Sequence, residues 1–312
     1  MKQSKIKKNI GIFWLRNDFR LTRNDGLFYA SQNHEKICVV YFYKKNFLKN
    51  RQAQKWWLSK SLINFRNDLD KKNINLEIIE CETYQEAFTK VLKQKNFSIY
   101  WNKVYEPDYL KFDLKISKIL TSNNVPYKIF KGNILNETDE IKKSDKTPFK
   151  VFTPFWRTSE KFFLEKVFQK SENIKVKNKK IKFFDKLAEP ETILPKKNWV
   201  KKFEIFWDPS EDAAIKSIKY FIKNELFNYG ENRDIPGIKG TSKISPYLVF
   251  GQIHVETIWE ECQKIKNKGN GYRKYVNELG WREFSHSLIN YFPEMLKGNL
   301  RKDFDHFPWQ EN

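Results

Sequence analysis

Cysteine, methionine and histidine are scarce in this 312-residue chain, which has three, two and four of them. Cys38, Cys81 and Cys262 lie far apart with no CxxC spacing, which argues against a disulfide framework or a thiolate zinc site and fits a reducing, cytoplasmic setting. His34, His254, His286 and His306 are scattered, so no metal site and no His-based catalysis is assigned. No apolar run approaches the roughly 18 residues of a membrane span. The Lys-rich start leads only into a short apolar stretch at 10–15, so neither a span nor a secretory leader is expected. Motifs are lacking too: there is no Walker loop, GxSxG or HExxH, and no GxGxxG follows the first apolar run.

Aromatic residues are abundant, with 27 Phe, 14 Tyr and 10 Trp. That much ring surface is incompatible with a solvated, disordered chain, and the length suggests two domains with ample core. Lys and Arg number 59 against 38 Asp and Glu, a net charge of +21. Lys outnumbers Arg by 49 to 10, which has the character of a compositional bias spread over the surface. The same charge creates a field that attracts polyanions, so nucleic acid is the first partner to consider.

From residue 9 to about 131, short apolar runs at 10–15, 38–43, 76–79, 97–101 and 127–130 alternate with helix-length segments. Such runs read as strands buried on both faces. Leu58, Leu62, Phe65 and Leu69 repeat as one helix face between the second and third runs. The alternation predicts a doubly wound, parallel α/β domain over 1–131. Between 132 and 207 the periodicity decays into a Lys-rich stretch with Pro148, Pro154, Pro190 and Pro195, which reads as a long connector. Beyond it, helices are expected at 211–227, 253–265 and 272–291, so 208–312 reads as an all-helical domain with little material for a closed core.

Two places could carry chemistry. Gly240, Thr241, Ser242, Lys243, Ile244 and Ser245 precede a helix start and gather hydroxyls and free N–H groups suited to a phosphate. Taken alone, an ordinary helix cap by Thr241 or Ser242 is the preferred explanation. On the helix at 272–291, Asn277, Glu278, Trp281, Arg282 and Ser285 form a second stripe. Glu278 and Arg282 could be a surface ion pair one turn apart. A flat aromatic between an amide, a carboxylate and a guanidinium also suits stacking a base and bonding its edge.

Five stretches occur in the order seen in one family: FWLRNDFRL from Phe13, WNKVYEP from Trp101, VFTPFW from Val151, GTSKISP from Gly240 and ELGWREF from Glu278. With them the chain resembles the photolyase/cryptochrome family, most closely the class I cyclobutane pyrimidine dimer photolyases. The resemblance implies an α/β antenna domain, a long linker and a helical FAD-binding domain. It implies light-driven electron transfer from reduced FAD to a pyrimidine dimer flipped out of DNA, by a monomer. By position, Tyr229, Thr241, Ser242, Lys243, Ile244 and Ser245 would hold the flavin's phosphates and ribityl chain, and Arg282 would pack beside the isoalloxazine. Glu278 would bond the dimer's base edge, Trp281 would stack on it, Asn277 would share that wall and Arg233 would contact the DNA backbone. Glu106, with Asn102, matches the position that holds a 5,10-methenyltetrahydrofolate antenna, and Trp309 the outermost tryptophan of an electron-transfer chain.

Family members run well past 312 residues, so the sequence reads as a truncated photolyase that would bind FAD poorly and repair little by itself. A cryptochrome-type light receptor and an inactive fragment are the alternatives.

Overall fold

All five apolar runs are strands: β1 (Ile10–Leu15), β2 (Ile37–Lys44), β3 (Asn75–Cys81), β4 (Phe97–Asn102) and β5 (Tyr127–Phe130). The computed structural model describes residues 9–46, 48–164, 174, 180–308 and 310. The strands form one parallel sheet in the order β3-β2-β1-β4-β5, with Phe13 beside Val39 on one side and Tyr100 on the other. Alternation along β1 divides the core. Phe13 and Leu15 face one way, toward α1 (Asp25–Asn33) and α2 (Gln52–Asp70). Ile12 and Trp14 face the other, toward α3 (Tyr84–Leu92) and α4 (Pro107–Ser122). Both faces are covered, as a parallel sheet requires. The chain reverses its winding between β1 and β4, which opens a crevice at the carboxyl ends of the strands.

Helix α2 serves two cores. Leu58, Leu62, Phe65 and Leu69 pack on the sheet as their spacing predicted, while Trp56 and Trp57 belong to the helical cluster beyond it. That cluster is therefore not closed by helices of the C-terminal region alone.

Part of the segment expected to be a connector is helical. Helix α5 (Phe152–Leu164) buries Phe155, Trp156, Ser159 and Phe163, and these three aromatics join the helical cluster. Pro154 sits in its first turn, where the missing N–H costs nothing, so it does not break the helix. Two short helices, α6 (Pro190–Ile193) and α7 (Val200–Phe206), follow. The expected long helices are α8 (Glu211–Asn224), α11 (Val255–Gln263) and α12 (Asn270–Tyr291). Two short turns of helix, α9 (Tyr229–Asn232) and α10 (Ser245–Phe250), lie between them. Ser210 starts α8 by accepting a hydrogen bond from the Ala213 N–H. Among the described residues no helix is long and apolar enough to cross a membrane.

The loop after β1 joins the two regions through buried polar groups. Arg20 is almost completely buried and donates to the carbonyls of Gly251 (2.8 Å) and Arg23 (3.0 Å). The Glu211 carboxylate at the start of α8 accepts from the backbone N–H of Leu21 (2.6 Å) and Thr22 (3.1 Å). Arg23 pairs with Glu256 and Glu260 on α11, and Gln252 accepts from the Trp57 indole (3.1 Å) while donating to Ser61 (2.7 Å). At the end of α10, Gly251 has φ +70°, and a Cβ there would lie 1.9 Å from the Asn17 carbonyl oxygen.

Gly251→Ala is therefore expected to destabilise the protein by about 2 kcal/mol or more, through both strain and the displaced Asn17 backbone. Gly237→Ala, where a Cβ meets nothing within 4 Å, is expected to change stability by less than about 0.5 kcal/mol. Denaturant midpoints of the two variants give the comparison.

Candidate functional site

Helix α12 carries Asn277, Glu278, Trp281 and Arg282 and presents the last three in three directions. Outward, the Trp281 indole lies flat on Phe152 of α5, with ring centroids 3.7 Å apart and planes 8° from parallel. One indole face is thus backed by a ring, and the side chain as a whole is 47% exposed. The backing is possible because α5 and α12 approach closely: Gly280 faces the Trp156 ring, where a Cβ would come within 2.5 Å.

On the adjoining side, Glu278 is bound by the Arg233 guanidinium. It does not pair with Arg282, contrary to the surface ion pair considered from their spacing. Arg233 also lies over the Tyr229 ring, 5.3 Å from its centroid, and Tyr229 packs edge-on to Tyr275 at 5.2 Å. Tyr229, Arg233 and Glu278 thus form one contiguous group, one helical turn from Trp281.

Toward the sheet, Arg282 donates to the Asn133 carbonyl (2.6 Å) and to Glu283 (3.2 Å). It shares a pocket of ≈ 340 Å³ with Ser245, His286, Tyr105 and Glu106. Burial and the nearby Arg282 push the His286 imidazole down to about 3, so it is neutral there. The pocket contains one residue each from the candidate flavin and antenna sets beside Arg282.

Thr241, Ser242 and Lys243 lie in the bend before α10, with Lys243 at φ +51°. Neither hydroxyl residue caps the helix: its N-cap is the buried Ile244, with no side-chain hydrogen bond. The cap explanation of this segment therefore fails, and the exposed hydroxyls of Thr241 and Ser245 remain free for a ligand. Below the bend, the buried Tyr275 hydroxyl lies near Ser242 and has no hydrogen-bond partner among the described residues.

Two candidates stand apart. Asn277 lines a separate pocket of ≈ 400 Å³ with Glu160 and Arg273, on the α5 side of α12. Asn102 is 3% exposed and has its side chain consumed: it donates to Asp18 (2.6 Å) and Asn24 (2.8 Å) and accepts from the Gly26 N–H (3.0 Å). It has no atom left for a ligand and instead holds the loop after β1. Trp309 lies outside the described residues. Glu106 is exposed at the start of α4 and also borders a crevice of ≈ 190 Å³ at the sheet's carboxyl edge, with Arg16, Tyr43, Lys44 and Tyr109.

Glu283 was not singled out from the sequence, although it underlies the whole arrangement. Its buried carboxylate accepts from the backbone N–H of Leu135 (2.8 Å) and Asn136 (3.3 Å) and from Arg282. Burial pushes its carboxyl up to about 7, against the opposing pull of Arg282 and the two N–H groups. A raised pKa means that the folded state binds the proton more tightly. The associated stability is greatest below the unfolded value near 4.5 and is lost as pH rises through about 7. Glu283→Gln is expected to flatten that part of the stability–pH curve. Glu283→Ala, which strands two buried N–H groups, is expected to cost about 2–4 kcal/mol at any pH. Thermal unfolding between pH 4 and 8 measures both.

A family model described as DNA photolyase matches residues 11–174. A deoxyribodipyrimidine photo-lyase of Agrobacterium fabrum is 27% identical over 316 aligned positions, covering 96% of this chain and 63% of the relative. A class III photolyase structure from Agrobacterium tumefaciens superposes with a TM-score of 0.86 at 27% identity, covering 99% of this chain and 65% of that one. A cryptochrome structure from Synechocystis sp. PCC6803 shares the fold, with a TM-score of 0.80 at 22% identity. The chain thus spans less than two thirds of the length of its first relatives. With the family match extending over more than half of its residues, the chain belongs to the DNA photolyase family.

Proposed function

We propose that this chain is a deoxyribodipyrimidine photolyase, acting in the cytoplasm as a monomer on DNA that contains cyclobutane pyrimidine dimers. The observation that carries the reading is the half-open Trp281 indole, backed by Phe152 and flanked by a carboxylate that Arg233 holds in place. A base taken out of the stack needs a flat apolar plane and a polar edge reader side by side. Trp281 supplies the plane, worth about 1–3 kcal/mol per stacked base. Glu278 supplies the acceptor, and Arg233 fixes its orientation while adding positive charge near the DNA backbone. Asn277 lies one turn before Trp281 on the same helix and extends the polar wall toward α5.

FAD is the cofactor we assign, and in its reduced state it supplies under blue light the electron that opens the cyclobutane ring. The residues present fit a flavin nucleotide. Thr241 and Ser245 offer uncommitted hydroxyls and Lys243 a cation for its phosphates, with Ser242 and Ile244 completing the segment, Tyr229 an adjoining ring, and Arg282 a partly buried guanidinium. Glu106 is the residue we assign to an antenna, 5,10-methenyltetrahydrofolate being the candidate. Within this reading, 1–131 is the antenna domain, 132–207 the connector, with α5 lent to the flavin-binding core, and 208–312 the flavin- and DNA-binding part. As to subclass, the class III structure's TM-score and 27% identity support class III over the class I resemblance of the motifs.

Two measurements test the function. Titration of FAD with the chain should quench flavin fluorescence, and Arg282→Ala should weaken the quenching about tenfold, the loss of one charge-assisted contact. Trp281→Ala should lower the preference for a dimer-containing oligonucleotide over an undamaged one about tenfold, while leaving affinity for undamaged DNA unchanged. Absence of both FAD quenching and dimer preference in the parent chain would overturn the reading. FAD photochemistry without dimer splitting would instead indicate a light receptor.

A further inference from the structure

Arg273, Asn277 and Trp281 stand one helical turn apart in a row on α12, and all three are exposed. The row follows the seam between α12 and α5, which run antiparallel. Phe152 meets Trp281 at one end, while Glu160 and Leu164 face Arg273 and Asn277 at the other. There the seam widens into the ≈ 400 Å³ pocket, completed by Gln263 of α11 and by Lys268 before α12.

The basic end of this groove is organised. The Gln263 amide donates to the Tyr272 hydroxyl (2.8 Å) and accepts from the Lys268 ammonium (2.8 Å). Lys268 also lies over the Tyr272 ring, 5.3 Å from its centroid. Its charge is thereby held at the pocket wall. Arg273 is exposed and forms no ion pair among the described residues. Among the described lining residues the one carboxyl is Glu160, which is half-buried; burial raises its pKa while the Lys268 charge opposes the rise.

We propose that this groove is a track for the DNA strand beside the lesion, with Lys268 and Arg273 on its phosphates and Asn277 between them and the base stacked on Trp281. Arg273 precedes Trp281 by eight residues, about 12 Å along the helix axis. A phosphate held there belongs to the flanking strand and not to the stacked nucleotide. The track therefore contributes affinity and register without reading the lesion, the usual division between backbone and base contacts. The proposal rests on the repair reading given above.

The test is equilibrium binding of the full chain, over a series of salt concentrations, to duplexes with and without one thymine dimer. Arg273→Gln and Lys268→Gln are each expected to weaken both duplexes to the same degree, roughly three- to tenfold near 0.1 M salt, and to reduce the slope of log affinity against log salt by about 1. The dimer preference should not change. Lys118→Gln on the outer face of α4 removes the same charge far from the groove and should have less than about a twofold effect. Both groove side chains are solvent-exposed, so unfolding midpoints should stay at the parent value, and either variant alone suffices if the other misfolds. Groove variants indistinguishable from Lys118→Gln, or a change in dimer preference at constant salt slope, would overturn the track. A parent chain with no dimer preference overturns the repair reading instead, a result recognisable because the salt slope of the groove variants would still fall.

Discussion

An arginine taken out of water dictates the architecture between the sheet and the helices. Burying Arg20 is costly unless its N–H groups find acceptors; its two Nη groups reach the carbonyls of Gly251 and Arg23, while its Nε has no partner among the described residues. Burial itself lowers its pKa, while Asp18 and Glu211 hold it charged. The loop after β1 is therefore tied to the end of α10. The tie is close enough that position 251 tolerates only glycine, and α10 in turn sets where Ser245 faces the pocket at Arg282. Glu211 and Arg23 repeat the pattern toward α8 and α11. Each pair leaves an expensive unpaired group if one partner is removed, so the seam enforces a single relative placement of the parts.

From that placement α12 derives its role. One helix sends Glu283 inward to brace the turn at 135–136, Arg282 into the pocket beside the sheet, Glu278 to Arg233 and Trp281 outward onto Phe152. These four directions have different physical demands. The inward carboxylate needs full hydrogen bonding, the guanidinium a carbonyl that fixes it, and the indole an apolar backing with one face left open. A rigid helix meets all of them because its side chains keep fixed angular offsets, and Gly280 lets α5 come close enough to supply the backing.

The strands, their parallel order and the sheet-facing stripe of α2 were legible because burial on both faces leaves continuous apolar runs, and a helix leaves a 3.6-residue period. Helix α5 inside the connector is not legible in the sequence. Its apolar period is interrupted by Pro154, and only the helix N-terminus makes that proline harmless. The site was legible where a residue type is rare in its context, as with Trp281 inside a polar stripe. It was not legible where the decisive fact is a long-range partner: Glu211 and Glu283 look like ordinary surface residues, and Asn102 like a ligand contact, until the fold brings a backbone N–H to them. Local spacing suggested Glu278 with Arg282, whereas the actual partner, Arg233, comes from 45 positions earlier.

The loop after β1 also carries a message about order of assembly. Arg20 and its acceptor at Gly251 are separated by 231 residues, and Leu21 and Glu211 by 190. On a ribosome adding about 5–20 residues per second, the sheet emerges complete well before those partners exist. Until then Arg20 stays hydrated and the loop stays open, while the apolar side of α2 with Trp56 and Trp57 waits uncovered. A nascent chain of this design exposes aromatic surface for tens of seconds, and it depends on holding chaperones over that interval more than a protein whose clamps are local.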